Sequence, residues 1–404
     1  MIKIKHILVI LLIVSIAVGC QKENNSEYTT PDLIKIYRTG WVDSTFLFDY
    51  LNFAIFDIKN NLQGGQLLIG AVGTAPETKF DASFGLYFLQ LDKSGQKTWE
   101  QMYFTSISFV GCVIQNNATD ALVFCNDWDN KSYVLEITNQ EIKKTELNLD
   151  AIIADDKKIL DAVYNKLTNS YMVAMITDKT VDQTHEFKVI LAEYDSKFNF
   201  IRIVHEEGFL PVFFDIQILT ITEICKKLDA YVHLFLYGND HYIYCPSFGK
   251  MKLSKINGEI IFEDNMYWAT NINTVSNKIN ITYNKHDIVY DRSFVLTADE
   301  SISEMDTILK FNRNTKYGIY SVFVPEKNIQ IFCYKNFKNE IVLKTNDTQK
   351  TLYETSGFSI AGITLSEDNQ SVVLGGTSLV SWGNTIKNMP YIVRIPISEI
   401  LNNN

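Results

Sequence analysis

The chain lacks the residue patterns on which most catalytic and nucleotide-binding sites rest. It has no GxSxG elbow, no P-loop and no GxGxxG run, so neither a strained nucleophile turn nor a glycine-rich phosphate cradle is expected. Histidine is scarce. Beyond His6 there are only His185, His205, His233, His241 and His286, none of them in an HExxH or other ligand pair, and they read as structural. His205-Glu206-Glu207 has suggestive chemistry, but adjacent residues of a strand point to opposite faces. Lysine and arginine never form a block of five or more, which argues against nucleic acid as a partner. With 19 glycines and 7 prolines this is not a low-complexity chain, and an apolar share of 46% is enough for a substantial core.

What the sequence does carry begins at its amino end. Lys3 and Lys5 precede an apolar run of twelve residues, Ile7 to Val18, interrupted only by Ser15 and followed by Gly19 and Cys20. A membrane-spanning helix needs about 20 apolar residues, so the run is too short to span and reads as a secretion signal. Ala17-Val18-Gly19-Cys20 resembles the bacterial lipobox, with Ala17 where leucine is usual. The resemblance implies that residues 1–19 are removed, that Cys20 carries a thioether-linked diacylglyceryl group and that its new amino group is acylated. One acyl chain holds a protein marginally and several hold it permanently. Gln21-Lys22-Glu23-Asn24 is similar to the surface-export signal of Bacteroidota-type lipoproteins, with Asn24 where a second acid is usual. That implies an outer-membrane lipoprotein, displayed outward in preference to facing the periplasm. Residues 20–31 read as a polar tether ending at Pro31, and 32–404 as a single domain.

Loss of Lys3 and Lys5 takes the formal charge from −10 to −12, which disfavours polyanionic partners. Five cysteines remain besides Cys20, namely Cys112, Cys125, Cys225, Cys245 and Cys333. At least one must lack an intramolecular partner. Cys112 and Cys125 flank the turn Asn116 to Asp120 almost symmetrically, which allows a disulfide across a hairpin; the alternative is that all five are small buried apolar residues.

From residue 33 onward, short runs rich in Ile, Val, Phe and Tyr alternate with Asn/Asp/Gly/Lys turns, the pattern of an all-β protein. Ala151 to Leu167 allows a helix, with Ile152, Leu160, Val163 and Leu167 near one face, or a hairpin turning at Thr168-Asn169-Ser170. Segments recur. Leu67 to Thr74 is echoed by Val372 to Ser378, and each is followed by a polar loop and a second strand, Leu86 to Leu91 and Tyr391 to Ile395. Leu91 to Glu100 parallels Leu253 to Glu263, each with a glycine (Gly95, Gly258) four residues before an aromatic-Glu pair. Lys166 to Val173 is matched by Lys227 to His233.

These segments resemble the blades of quinoprotein-like β-propellers, in which a glycine-bearing turn leads to an outer strand beginning near Trp. The resemblance implies four-stranded antiparallel blades. Breaks near Tyr103, Asp150, Gly208, Tyr267, Phe311 and Glu354 then give seven blades, with six or eight as alternatives. Ile34 to Arg38 reads as an outer strand that completes the last blade and closes the ring, covering two otherwise exposed edges.

Few candidate sites follow. Asn126 to Asn130 offers oxygen ligands at alternate positions but lacks the glycine and distal glutamate of an EF-hand, so it reads as a hairpin turn; Asp127 and Asp129 would be the ligands of a calcium reading. Trp99 and Trp268 fall at blade-packing positions, leaving Trp128 and Trp382 as surface candidates. No catalytic residue, metal or cofactor is assigned. The expectation is a non-enzymatic, membrane-anchored module that binds a glycan, a peptide or an envelope protein. The alternatives are a periplasmic outer-membrane assembly scaffold, similar in anchor and repeat type to the propeller lipoprotein of the barrel-assembly machinery, and a glycan hydrolase or lyase working through a carboxylate pair.

Overall fold

β-Branched and aromatic runs form strands, and their Asn/Asp/Gly boundaries form the turns between them. The computed structural model describes residues 35–37, 52–73, 85–104, 107–148, 156–181, 184–209, 232–237, 240–247, 250–255, 260–264, 268–275, 278–285, 288–294, 306–312, 319–336, 340–345, 347–352, 358–382 and 385–401. Strand β1 is Lys35–Tyr37. The first sheet holds β2 to β5 (Asn52–Asn60, Gln66–Gly73, Gly85–Leu91, Lys97–Phe104), and the second β6 to β9 (Ile107–Ile114, Ala121–Asp127, Ser132–Thr138, Glu141–Glu146). The third holds β10 to β13 (Asp156–Asn165, Ser170–Val181, Thr184–Asp195, Phe200–Phe209), and the fourth β14 to β17 (His233–Tyr237, Asp240–Ser247, Lys250–Lys255, Ile260–Asp264). The fifth holds β18 to β21 (Trp268–Val275, Lys278–Lys285, Ile288–Phe294, Asp306–Asn312), and the sixth β22 to β25 (Tyr320–Val324, Ile329–Lys335, Ile341–Lys344, Gln349–Leu352). The seventh combines β26 to β28 (Phe358–Leu365, Ser371–Trp382, Thr385–Pro396) with β1, in the order β1-β28-β27-β26. A short helix, α1 (Ile397–Leu401), follows β28.

The described residues thus form seven four-stranded sheets, with consecutive strands antiparallel throughout the first. First strands pack in chain order: β6 on β10, β10 on β14, β14 on β18, β18 on β22, β22 on β26 and β26 on β2. This all-β arrangement is that of a β-propeller. The sequence breaks near Tyr103, Asp150, Gly208, Tyr267, Phe311 and Glu354 all fall where one sheet ends and the next begins.

Apolar clusters fill the spaces between sheets. Leu67, Ile69 and Phe88 of the first sheet meet Val110, Val123 and Leu135 of the second. Leu122 and Phe124 on the other face of that sheet meet Tyr171, Val173 and Tyr194 of the third, whose opposite face carries Met172, Ile176 and Leu191 against Leu234 and Ile243 of the fourth. Val373 and Ile392 of the seventh reach Ile55, Ile58 and Leu68 of the first. Because both faces are covered, β3, β4 and β7 are buried along their whole length, and their sequences are apolar runs without alternation.

The first strands share a further feature. β-Bulges interrupt β2 between Ile55 and Asp57, β6 between Val110 and Cys112, β10 between Ile159 and Asp161, β18 between Ala269 and Asn271, and β26 between Ile360 and Gly362. A bulge disturbs the ladder and leaves backbone groups needing other partners. Two of these N–H groups find one in the preceding sheet: Ile159 N donates to Asn126 Oδ1 at 2.9 Å and Ile55 N to Thr377 Oγ1 at 3.0 Å. Asn126 and Thr377 hold equivalent places, each on a second strand one residue beyond the partner of the residue before the bulge. Leu234 N of β14, whose pairing with β15 is unbroken, likewise donates to the preceding sheet, to Asp161 Oδ2 in the β10 bulge at 2.7 Å.

Two open alternatives are decided. Of the segment Ala151 to Leu167, the described residues hold a strand: Asp156–Asn165 is β10, and the turn at Thr168-Asn169-Ser170 leads into β11, the hairpin alternative. Cys112 and Cys125 are not joined by a disulfide. The β6 bulge sets Cys125 opposite Val110 and Cys112 opposite Phe124, so Cys125 joins the cluster facing the first sheet while Cys112 packs on the one facing the third.

Gly111, inside the β6 bulge, lets the next sheet approach. A Cβ there would lie 2.4 Å from Ile159 O, which is backbone and cannot rotate away, whereas a Cβ at Gly375 would meet only the Ile58 side chain, at 3.0 Å. Gly111→Ala is expected to destabilise the fold by about 2 kcal/mol or more, and Gly375→Ala by clearly less. Urea unfolding followed by tryptophan fluorescence measures both.

Candidate functional site

Among the described residues one hairpin loop is built four times, at Asn61, Asp92, Asp127 and Asp195. In each, the first residue's Oδ1 accepts the backbone N–H groups two and four residues on. In each, the fourth residue donates its N–H to the first residue's carbonyl. That fourth residue is left-handed: Gly64 at φ 84°, Gly95 at 82°, Asn130 at 62° and Phe198 at 65°. Glycine and asparagine tolerate this region, so the loop has a readable signature of Asx followed at the third place by Gly or Asn. Phe198 departs from it and is carried by packing among Phe124, Tyr171 and Tyr194.

Three of the four loops join a first to a second strand or a third to a fourth, at one end of their sheets. That end is knitted across sheets. Asp120 is buried and accepts from Leu62 N at 2.7 Å and from Asn139 N at 2.9 Å. The Gln115 amide donates to the carbonyls of Asn60 and Asp120, and Asn116 donates to the Tyr171 hydroxyl at 2.7 Å. Lys93 pairs with Glu367, and Asn369 donates to Glu326 at 2.8 Å.

The Asp127 loop is the exception, because it joins the second strand β7 to the third strand β8 and lies at the opposite end. Its tip is Trp128, 65% exposed. The loop beneath is held from three sides. Asn126 Nδ2 donates to Lys157 O at 3.2 Å and to Ser132 Oγ at 3.0 Å, which with the Ile159 N–H bond fixes the hairpin base to β10. Asp127 Oδ1 takes the N–H groups of Asp129 and Lys131, each at 2.9 Å. Asn130 Nδ2 donates to Asp156 Oδ1 at 2.9 Å. Burial first, then the nearby Asp127, Glu146 and Asp129 carboxylates, push the Tyr133 phenol well above its ordinary range. Tyr133 therefore stays a neutral donor, with Lys144 Nζ 3.6 Å over its ring. Asp127 is thus turned to its own loop's backbone, as the hairpin reading of Asn126 to Asn130 requires.

The surface therefore offers an exposed aromatic side chain on a fixed hairpin backbone, next in sequence to Asp129, Asn130 and Lys131, with Asp156 tied to Asn130. Exposing so large an apolar ring forgoes roughly 1.5–3 kcal/mol of burial, and nothing in the hairpin's own hydrogen bonding requires Trp at the tip. Trp99, by contrast, packs against the cluster between the first and second sheets and stacks on Phe88 at 6.3 Å, as its sequence position implies. Trp268 begins β18 and Trp382 ends β27. Cys20, Gln21, Lys22, Glu23, Trp41, Cys225 and His286 lie outside the described residues. His205 and His233 are half-buried and His241 is buried; burial lowers the His241 pKa, against the opposing pull of Glu193 and Asp240. Among the described residues no three His, Cys, Asp or Glu side chains are grouped as metal ligands. The anchoring role of Asn126 was not readable beforehand, because it depends on which residue of β10 lies opposite.

No family model matches the chain, and no curated protein matches it. Solved structures do. The chain resembles a puromycin hydrolase with a TM-score of 0.55 at 7% identity, covering 86% of this chain and 52% of that one, and an S511A mutant of that enzyme with a TM-score of 0.53 at 8% identity. This chain accordingly spans about half the length of the hydrolase, and likeness at such identity concerns the fold. The β-propeller domain of Myceliophteria thermophila Cps50 (Swd1) is also similar, with a TM-score of 0.49 at 9% identity over 89% of this chain and 99% of that one. So is that of Vanderwaltozyma polyspora Nup133, with a TM-score of 0.48 at 9% identity over 91% of this chain and 99% of that one.

Two predictions follow from these buried groups. Burial, partly offset by Lys144, pushes the Cys125 thiol up to about 12, and burial raises Cys333 further. Since the thiolate is the reactive form, neither cysteine should be labelled by iodoacetamide at pH 8 in the native protein, and both should be labelled in urea, as read by peptide mass mapping. The folded-state His241 pKa lies below its unfolded value of about 6.5. Its stabilising contribution is therefore complete above that pH and is lost as pH falls through the folded value. His241→Gln should flatten the decline of Tm between pH 7 and pH 5; an unchanged slope would place the acid sensitivity elsewhere.

Proposed function

We propose that this chain is a lipid-anchored binding module of the bacterial envelope, and that it acts by contact through Trp128 rather than by catalysis. The observation that carries the reading is the Asp127 hairpin, which spends an inter-sheet amide, an acidic cap and a left-handed asparagine on fixing an exposed tryptophan. Rigid aromatic tips suit recognition because little side-chain entropy is lost when a partner covers them. In this reading the seven sheets are the blades of a closed ring, completed by β1. Cys20 bears the lipid, residues 20–31 are the tether, and Gln21, Lys22 and Glu23 direct the module outward from the outer membrane.

Two measurements test the reading. Trp128→Ala should leave Tm within about 1 °C of the parent, because surface substitutions away from packing features change stability by about 0.5 kcal/mol or less, yet should abolish partner capture by intact cells. A loss of Tm with capture retained would assign Trp128 a structural role instead. Cys20→Ser should abolish incorporation of labelled palmitate and release the chain from membranes. Protease added to intact cells should then shave the parent protein if it faces outward and spare it if it faces the periplasm.

A further inference from the structure

We infer that the seam between the third and fourth sheets is an acid-sensitive joint, which protonation of His241 opens locally while other seams stay closed. Register brings the groups together. Ile243 of β15 shares one apolar cluster with Met172 and Leu191 of the third sheet. The positions two residues along on the same faces are His241, Ser170 and Glu193, which therefore meet at the end where first strands turn into second. His241 is buried and its Nε2 has no hydrogen-bond partner. Glu193 is already engaged, accepting from Ser170 Oγ at 3.2 Å and from Arg202 Nε at 2.8 Å. The other titratable groups near the imidazole are Asp240 beside it, Lys255 paired with Tyr242, His205 opposite Leu191, and Asp161 in the β10 bulge. Asp195, opposite Ser170, is turned to its own loop. Lys158 and Asp178 share the face but lie at Ile176 and beyond on β11, roughly 20 Å away at about 3.3 Å per residue. Protonation makes both ring nitrogens donors and adds a charge. In the closed seam the Nε2 proton has no acceptor, which is costly for a buried charge, whereas an opened seam lets water supply one. The Glu193 and Asp240 charges favour the imidazolium, but burial outweighs them and holds the imidazole below its ordinary pKa. Opening is therefore unaffected above about pH 6.5 and gains as pH falls below it, by at most about tenfold per pH unit. Leu234 N, bonded across this seam to Asp161 Oδ2, reports on it. Ile159 N and Ile55 N report in the same way on two other seams.

Hydrogen exchange of the full chain, read at single amides from pH 7.5 to pH 5 and corrected for the intrinsic pH dependence of exchange, tests this. Leu234 should lose protection by about fivefold or more at pH 5, while Ile159 and Ile55 keep theirs. His241→Gln, neutral at both pH values, should leave Leu234 as protected at pH 5 as at pH 7.5. If that variant is less stable throughout, the ratio of Leu234 to Ile159 protection at the two pH values still decides. Glu193→Gln removes a charge that favours the imidazolium but keeps an acceptor for Ser170, so it should move the loss of Leu234 protection to lower pH. A purely structural role of Glu193 would instead loosen the seam equally at both pH values. Acid loss of Leu234 protection that persists in His241→Gln would assign the response to another group, Asp161 first, and overturn the inference. Parallel loss at Leu234, Ile159 and Ile55 would mark global unfolding and overturn it too.

Discussion

A β-sheet whose two faces are both apolar must be covered on both, and in this chain each sheet's cover is the next sheet. That requirement decides the rest. It explains why β3, β4 and β7 are buried throughout, and why first strands pack on one another in chain order. It also explains the small residues at the close approaches, where Gly111 and Gly362 admit the neighbouring backbone or Ile58. Polar groups buried between sheets need hydrogen-bond partners. The bulges of β10 and β2 create such a need, which Asn126 and Thr377 meet across sheet boundaries, and Asp161 likewise takes Leu234 N of the next sheet.

The same interaction links fold to site. Asn126 fills the backbone bonds of β10 and at the same time forms the base of the loop that carries Trp128. A buried amide that satisfies its neighbour's N–H and C=O is costly to displace, so the hairpin above it is held by the stability of the whole inter-sheet contact. At the opposite end of the sheets, turns such as Asn61 to Gly65 and Gln115 to Asp120 are engaged with one another. The division of labour between the two ends arises from where the polar side chains are committed.

Much of the fold was legible in the residues. Apolar runs bounded by Asx and Gly turns marked the strands, the echo of Leu67 to Thr74 in Val372 to Ser378 marked two second strands, β3 and β27, and the breaks matched the ends of sheets. Local turn chemistry is strong enough to be read without tertiary context. Bulges are not: the offset that separates Cys112 from Cys125 arises from the approach of the third sheet at Gly111, and symmetric spacing about a turn gives no sign of it. Ala151 to Leu167 was ambiguous because its apolar spacing satisfied a helix as well as a strand, and pairing with β11 decided it. Trp128 was legible as a surface residue from its place in a loop. What fixes it there depended on register and on the neighbouring strand.

The central claim is that contact with a partner is made at the Trp128 end of the sheets. The most direct measurement places a photo-crosslinking residue at position 128 and, in a second protein, at Leu167, which is also exposed but sits on a turn at the other end, and compares covalent adducts formed in living cells. The account predicts a discrete adduct from position 128 and none from position 167. Equal adducts from both positions, or adducts from 167 alone, would contradict it.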